Sequence, residues 1–121
     1  MSVIRVDNFG PSAGGTTYSA GGIAKAFAYW TYSGGTPTAS DSLNVSSFND
    51  VGTGQTGANY TNAFDQAAKT SGGMAQINTR VICKWAASQT TSYDLFYVYE
   101  ITGTPATNDS EGAFITHGDL A

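Results

Sequence analysis

The sequence predicts an all-β fold: a single antiparallel β-sandwich, jelly-roll-like, preceded by an extended N-terminal arm. Three observations carry that expectation. Runs of β-branched and aromatic residues recur along the chain between Gly- and Ser-rich turns, the pattern of short paired strands. At 121 residues there is room for one core and one domain. Charged side chains make up only 12% of the chain, so solubility rests on Ser, Thr, Asn and Gly, a composition that suits extracellular or particle-surface β proteins.

Residues 2–6 alternate short polar and β-branched side chains and suit an edge strand or an extended arm. Residues 9–22 are dominated by Gly, Ser, Thr and Ala and offer too little apolar area to fold alone. Residues 1–22 therefore read as an arm or linker, and residues 23–121 as the sandwich. The first strong strand is 23–32, with Ile23, Lys25, Phe27, Tyr29 and Thr31 on one face and Ala24, Ala26, Ala28, Trp30 and Tyr32 on the other. Small residues let another backbone or sheet approach closely, so Ala24, Ala26, Ala28 and Trp30 are expected at an oligomer interface. A strand over 40–48, a turn over 49–54 and a third candidate strand over 59–64, with Tyr60 and Phe64 on one face, come next. The longest strands are expected over 74–85 and 93–101, the latter nearly saturated in β formers, and 112–117 closes the set.

Several function classes are disfavoured at this level. A net charge of −4 with five scattered basic residues does not suit a surface that tracks phosphates, so no nucleic-acid partner is expected. Cys83 is the only cysteine, which excludes an intrachain disulfide, and its strand-like setting suggests a small buried side chain. The segment Gly52-Thr53-Gly54-Gln55-Thr56-Gly57 fits Gly-x-Gly-x-x-Gly, and 58–68 could be drawn as a helix. No buried hydrophobic strand leads into it, so it reads as a β-turn and no cofactor is expected. His117 is the only histidine, which sets aside classical triads and multi-histidine metal sites. Asp41, Asp50, Asp94, Asp109 and Glu111 are the carboxylates to weigh as a glycosidase pair; the positions of Asp50, Asp109 and Glu111 in a turn and a loop favour ordinary Asx-turn and solvation roles. The chain is therefore read as non-enzymatic. The N-terminus lacks the apolar core of a signal peptide and no long apolar run follows, so synthesis in the cytoplasm without membrane insertion is expected. Fifteen aromatics exceed what the core of so small a domain takes up, and exposed ones flanked by Asn, Ser and Thr suit a sugar-binding or subunit surface.

Three segments, Gly22-Ile23-Ala24-Lys25-Ala26-Phe27-Ala28-Tyr29, Asp41-Ser42-Leu43-Asn44-Val45-Ser46-Ser47 and Asp50-Val51-Gly52-Thr53-Gly54, resemble a recurring module of bacteriophage tail-fibre and virion surface proteins. Thr90-Thr91-Ser92-Tyr93 and Phe114-Ile115-Thr116-His117-Gly118-Asp119 resemble later pieces of that module in the same order. The opening Ser2-Val3-Ile4-Arg5-Val6-Asp7 looks like the start of short phage fibre proteins, where that end tends to attach to the particle. The resemblance implies a β-sandwich head that often forms homotrimers, with Val3, Ile4, Arg5 and Val6 in the particle-attachment arm. It implies a structural protein of the virion surface, made in the host cytoplasm, whose partners are other tail or capsid proteins and a host-surface glycan. The alternative is a capsid decoration or cement protein that clamps head subunits.

Overall fold

The computed structural model describes residues 8–9, 18–19, 24–104 and 106–121. Within the segment expected as an arm, β1 (Asn8–Phe9) pairs antiparallel with β2 (Tyr18–Ser19). Val3, Ile4, Arg5 and Val6 lie outside the described residues. The remaining strands are β3 (Ala26–Ser33), β4 (Thr36–Leu43), β5 (Val45–Gly52), β6 (Gln55–Tyr60), β7 (Thr70–Ala75), β8 (Arg80–Lys84), β9 (Tyr93–Glu100), β10 (Ala106–Thr107) and β11 (Gly112–His117). They form two antiparallel sheets packed face to face. One has the order β4-β3-β11-β7. In the other, β5, β6 and β9 follow one another, β8 lies along the free edge of β9, and β10 continues the β6 side past Tyr99 and Glu100. The chain is an all-β sandwich.

Alternation explains the packing. From the four-stranded sheet, Ala26, Ala28 and Trp30 of β3 and Phe114 and Thr116 of β11 point inward; from the five-stranded sheet, Thr56, Ala58 and Tyr60 of β6 and Asp94, Phe96 and Val98 of β9 meet them. Trp30 is fully buried at the centre, its ring centroid 5.8 Å from Phe48 and 6.2 Å from both Phe96 and Phe114. Its indole Nε1 donates to the Ser110 carbonyl at 3.0 Å, which satisfies the one polar atom it brings into the core. Gly112 sits beside it for a steric reason: a Cβ there would lie 2.6 Å from Trp30 Cζ2 and 2.5 Å from Ile82 Cδ1.

The alanine face is therefore internal. Ala26 and Ala28 are 0% and 2% exposed, and the sheet they admit is the chain's own second sheet, so Ala26, Ala28 and Trp30 offer nothing to a neighbouring subunit. Ala24 precedes β3 and is half-buried. The small side chains leave the volume that the large rings of the opposing layers fill.

Two expected strands are each divided. The run 40–48 breaks at Asn44, whose φ of 58° lies in the left-handed region that Asn enters more readily than other non-glycine residues. Asn44 Oδ1 accepts from the Asn62 amide at 2.7 Å and Asn44 Nδ2 donates to the Asn62 carbonyl at 3.1 Å. This one residue carries the chain from β4 in one sheet to β5 in the other. The run 74–85 likewise splits into β7 and β8, which belong to different sheets. The Gly-x-Gly-x-x-Gly segment is the β5–β6 hairpin and the start of β6, and no helix follows it. Phe64 lies beyond β6 in a bridge to Leu120, yet it is buried against Tyr60 with ring centroids 5.0 Å apart.

Candidate functional site

The same alternation that sends Asp94, Phe96 and Val98 inward turns Tyr93, Tyr97 and Tyr99 to the outer face of the five-stranded sheet, with Leu95 between them but buried. On one flank, register places Val81 and Cys83 of β8 beside Tyr99 and Tyr97, and Trp85 follows β8 with its amide bonded to the Leu95 carbonyl at 2.8 Å. On the other flank, Gln55 lies opposite Tyr97 and Asn59 opposite Tyr93. The rings form a strip: Trp85 and Tyr97 have centroids 5.2 Å apart, and Tyr97 and Tyr99 lie 5.9 Å apart and nearly parallel at 14°. Trp85 is 47% exposed. Gly57 provides the seat for Tyr93, since a Cβ on it would meet the Tyr93 phenol. Cys83, expected to be buried, is exposed on this face, because the phase of β8 turns Ile82 and Lys84 inward instead. An aromatic strip held on a rigid sheet and bordered by amides can stack on the apolar faces of sugar rings and hydrogen-bond their hydroxyls. The rings of this strip come from β9 and from Trp85, the residue after β8.

The carboxylates weighed for catalysis have structural partners. Asp50 Oδ1 accepts from the Gly52 amide at 3.2 Å, Asp109 Oδ1 from the Gly54 amide at 2.6 Å, and Glu111 Oε2 from the Tyr29 hydroxyl at 2.7 Å. Asp41 is paired across strands with Tyr29 on the outer face of the four-stranded sheet. His117 is half-buried and paired with Thr70. Among the described residues no three His, Cys, Asp or Glu side chains gather as a metal site.

Asp94 differs from these. It is 0% exposed, with Lys69 Nζ 3.2 Å from Oδ1, Lys84 Nζ 3.2 Å from Oδ2 and the Tyr60 hydroxyl donating to Oδ2 at 2.7 Å. The Lys69 side chain is 1% exposed, stands 5.4 Å from the Tyr60 ring centroid and 5.2 Å from that of Phe64, and donates to the Ala67 and Thr90 carbonyls. Lys84 donates to the Lys69 carbonyl at 2.9 Å and to Ser71 Oγ at 3.2 Å. Two cations thus share one buried carboxylate, and carbonyl dipoles and aromatic faces supply the remaining compensation. The sequence held one signal for this cluster: Asp94 falls in the inward phase with Phe96 and Val98.

Burial raises the Tyr60, Tyr32 and Tyr93 phenols above 10.0, and the hydrogen bond to Glu111 raises that of Tyr29. Burial holds the Lys84 ammonium below 10.5. A phenol that keeps its proton longer in the fold contributes stability that is complete below 10.0 and lost as pH climbs through its raised folded value. Lys84 acts in the opposite sense, because the folded chain releases its proton first and gains stability as pH rises towards 10.5. The tyrosines outnumber it, so the urea midpoint should fall between about pH 9 and about pH 11, and Tyr60→Phe should flatten that fall. A parent midpoint unchanged over that interval would contradict the assignment.

No family model, curated protein or solved structure matches the chain.

Proposed function

We propose that the protein is a non-enzymatic structural protein of a bacteriophage virion surface, a fibre-like domain that recognises a host-surface glycan through the strip Trp85–Tyr97–Tyr99. The observation that carries the recognition step is that strip, with Gln55, Asn59 and Tyr93 beside it. The attribution to phage particles rests on the sequence resemblance. A single site of this kind binds weakly, and many copies on one particle multiply its strength.

The opposite face supports particle attachment or self-association. There Leu43, Met74 and Ile115 are 48%, 64% and 43% exposed, and a shallow depression of about 210 Å³ is lined by Phe27, Tyr29, Met74 and Ile115. Apolar exposure of this kind favours a protein partner. It takes over the role expected of the alanine face, whether in a homotrimer or against other virion proteins.

The decoration reading draws on this second face alone, and one experiment separates the two. Trp85→Ala and Tyr97→Ala should each weaken adsorption to immobilised host polysaccharide by about tenfold or more, the usual loss for a central aromatic contact, while polymer length stays constant. Met74→Glu should instead reduce incorporation into particles. If both strip variants adsorb like the parent while Met74→Glu is excluded from particles, the host-recognition reading fails and the decoration reading stands.

A further inference from the structure

We propose that Lys84 and Asp94 condense to form an intramolecular isopeptide bond, with Lys69 relaying the protons. The ammonium and carboxylate groups are held in contact in the folded chain, at 3.2 Å, so the reaction begins with its two partners already oriented. Two of the three positions on Lys84 Nζ are committed to the Lys69 carbonyl and Ser71 Oγ, and the third faces Asp94. The carboxylate is divided in the same way. Oδ2 accepts the Tyr60 hydroxyl, whereas Oδ1 has no hydrogen-bond partner although Lys69 Nζ is 3.2 Å away.

The chemistry balances within the cluster. Lys84 gives up a proton, and burial, which already holds its ammonium below the ordinary value, favours that step. The freed Nζ lone pair attacks Asp94 Cγ, and the C–N bond forms as charge develops on Oδ2 beside the Tyr60 hydroxyl. Lys69 passes the protons released by Lys84 to Oδ1, the Cγ–Oδ1 bond breaks, and Oδ1 departs as water. Lys69 ends as the ammonium it was at the start. One ammonium and one carboxylate become one amide and one water, with no oxidant, activating group or external reagent. The cluster carries one net positive charge before and after the reaction, and Lys69 keeps the Ala67 and Thr90 carbonyls and the faces of Tyr60 and Phe64 around its ammonium.

The bond would tie β8 to β9 next to Trp85 and stiffen the sheet that carries the strip, whatever the strip binds. The purified full chain is denatured, digested with trypsin and mapped by mass spectrometry. Expected is a single peptide, residues 81–121, uncut after Lys84 and lighter than its sequence by one water. In Lys84→Arg, residues 85–121 should appear free at their sequence mass. Lys69→Gln, checked for folding by circular dichroism, should leave peptides 81–84 and 85–121 separate. Free peptides 81–84 and 85–121 from the parent, or a cross-link that carries Lys69 in place of Lys84, overturn the bond. A complete cross-link in Lys69→Gln overturns the relay.

Discussion

Asp94→Ala is expected to destabilise the protein by about 3–5 kcal/mol, the cost of leaving buried charge without its counter-ion. The residue is 0% exposed and two lysine ammonium groups stand 3.2 Å from its oxygens. Removing it leaves two like charges near each other with only carbonyls, the Ser71 hydroxyl and two aromatic faces around them, and frees the Tyr60 hydroxyl from its 2.7 Å bond. Against the roughly 5–15 kcal/mol that holds a domain of this size together, the loss should lower the melting temperature by on the order of 10–20 °C. Calorimetry reads it. A shift of under a few degrees would mean that the lysines reach solvent and that the cluster is not closed.

Ala26→Arg is expected to prevent folding altogether. Ala26 is 0% exposed on the inward face of β3, opposite Thr116 of β11 in register, and an arginine there must both displace packed neighbours and bury a charge. Overpacking alone costs about 1–3 kcal/mol, and an unpaired buried charge adds several more. Thr31→Arg, on the outer face of the same strand, should fold normally. Circular dichroism of the two proteins side by side provides the check, and a folded, monomeric Ala26→Arg would return this face to the surface.

The parts of the fold legible in the sequence are those where side-chain character and strand period agree. Residues 112–117 match β11 and 93–101 match β9 to within one residue, since both are dense in β-branched and aromatic side chains. The breaks were hidden. Asn44 looks like any polar residue of a strand until its positive φ is seen, and the connection between β7 and β8 contains Ile77, 42% exposed, which makes a surface loop look like a continuing strand. The three alanines permit close approach of a second layer, but a single strand does not reveal whether that layer belongs to the same chain or to a neighbouring subunit. Composition indicated surplus aromatics; only the register of β8, β9 and β6 lines Trp85, Tyr97 and Tyr99 into one strip. Lys69 and Lys84 join Asp94 from distant segments, and no local pattern announces that meeting.

The pairing of β3 with β11, Ala28 opposite Phe114, bears on how the protein is made. The strand that carries Trp30 finds its neighbour only when residues 112–117 have left the ribosome, and until then the edge of β3 that β11 will cover stays open. The sandwich therefore closes only after β11 is available, with the slow, non-local search typical of such topologies. Residues 112–117 are as indispensable as β3 itself, and a nascent chain stalled just short of them would remain a partner for any free strand nearby.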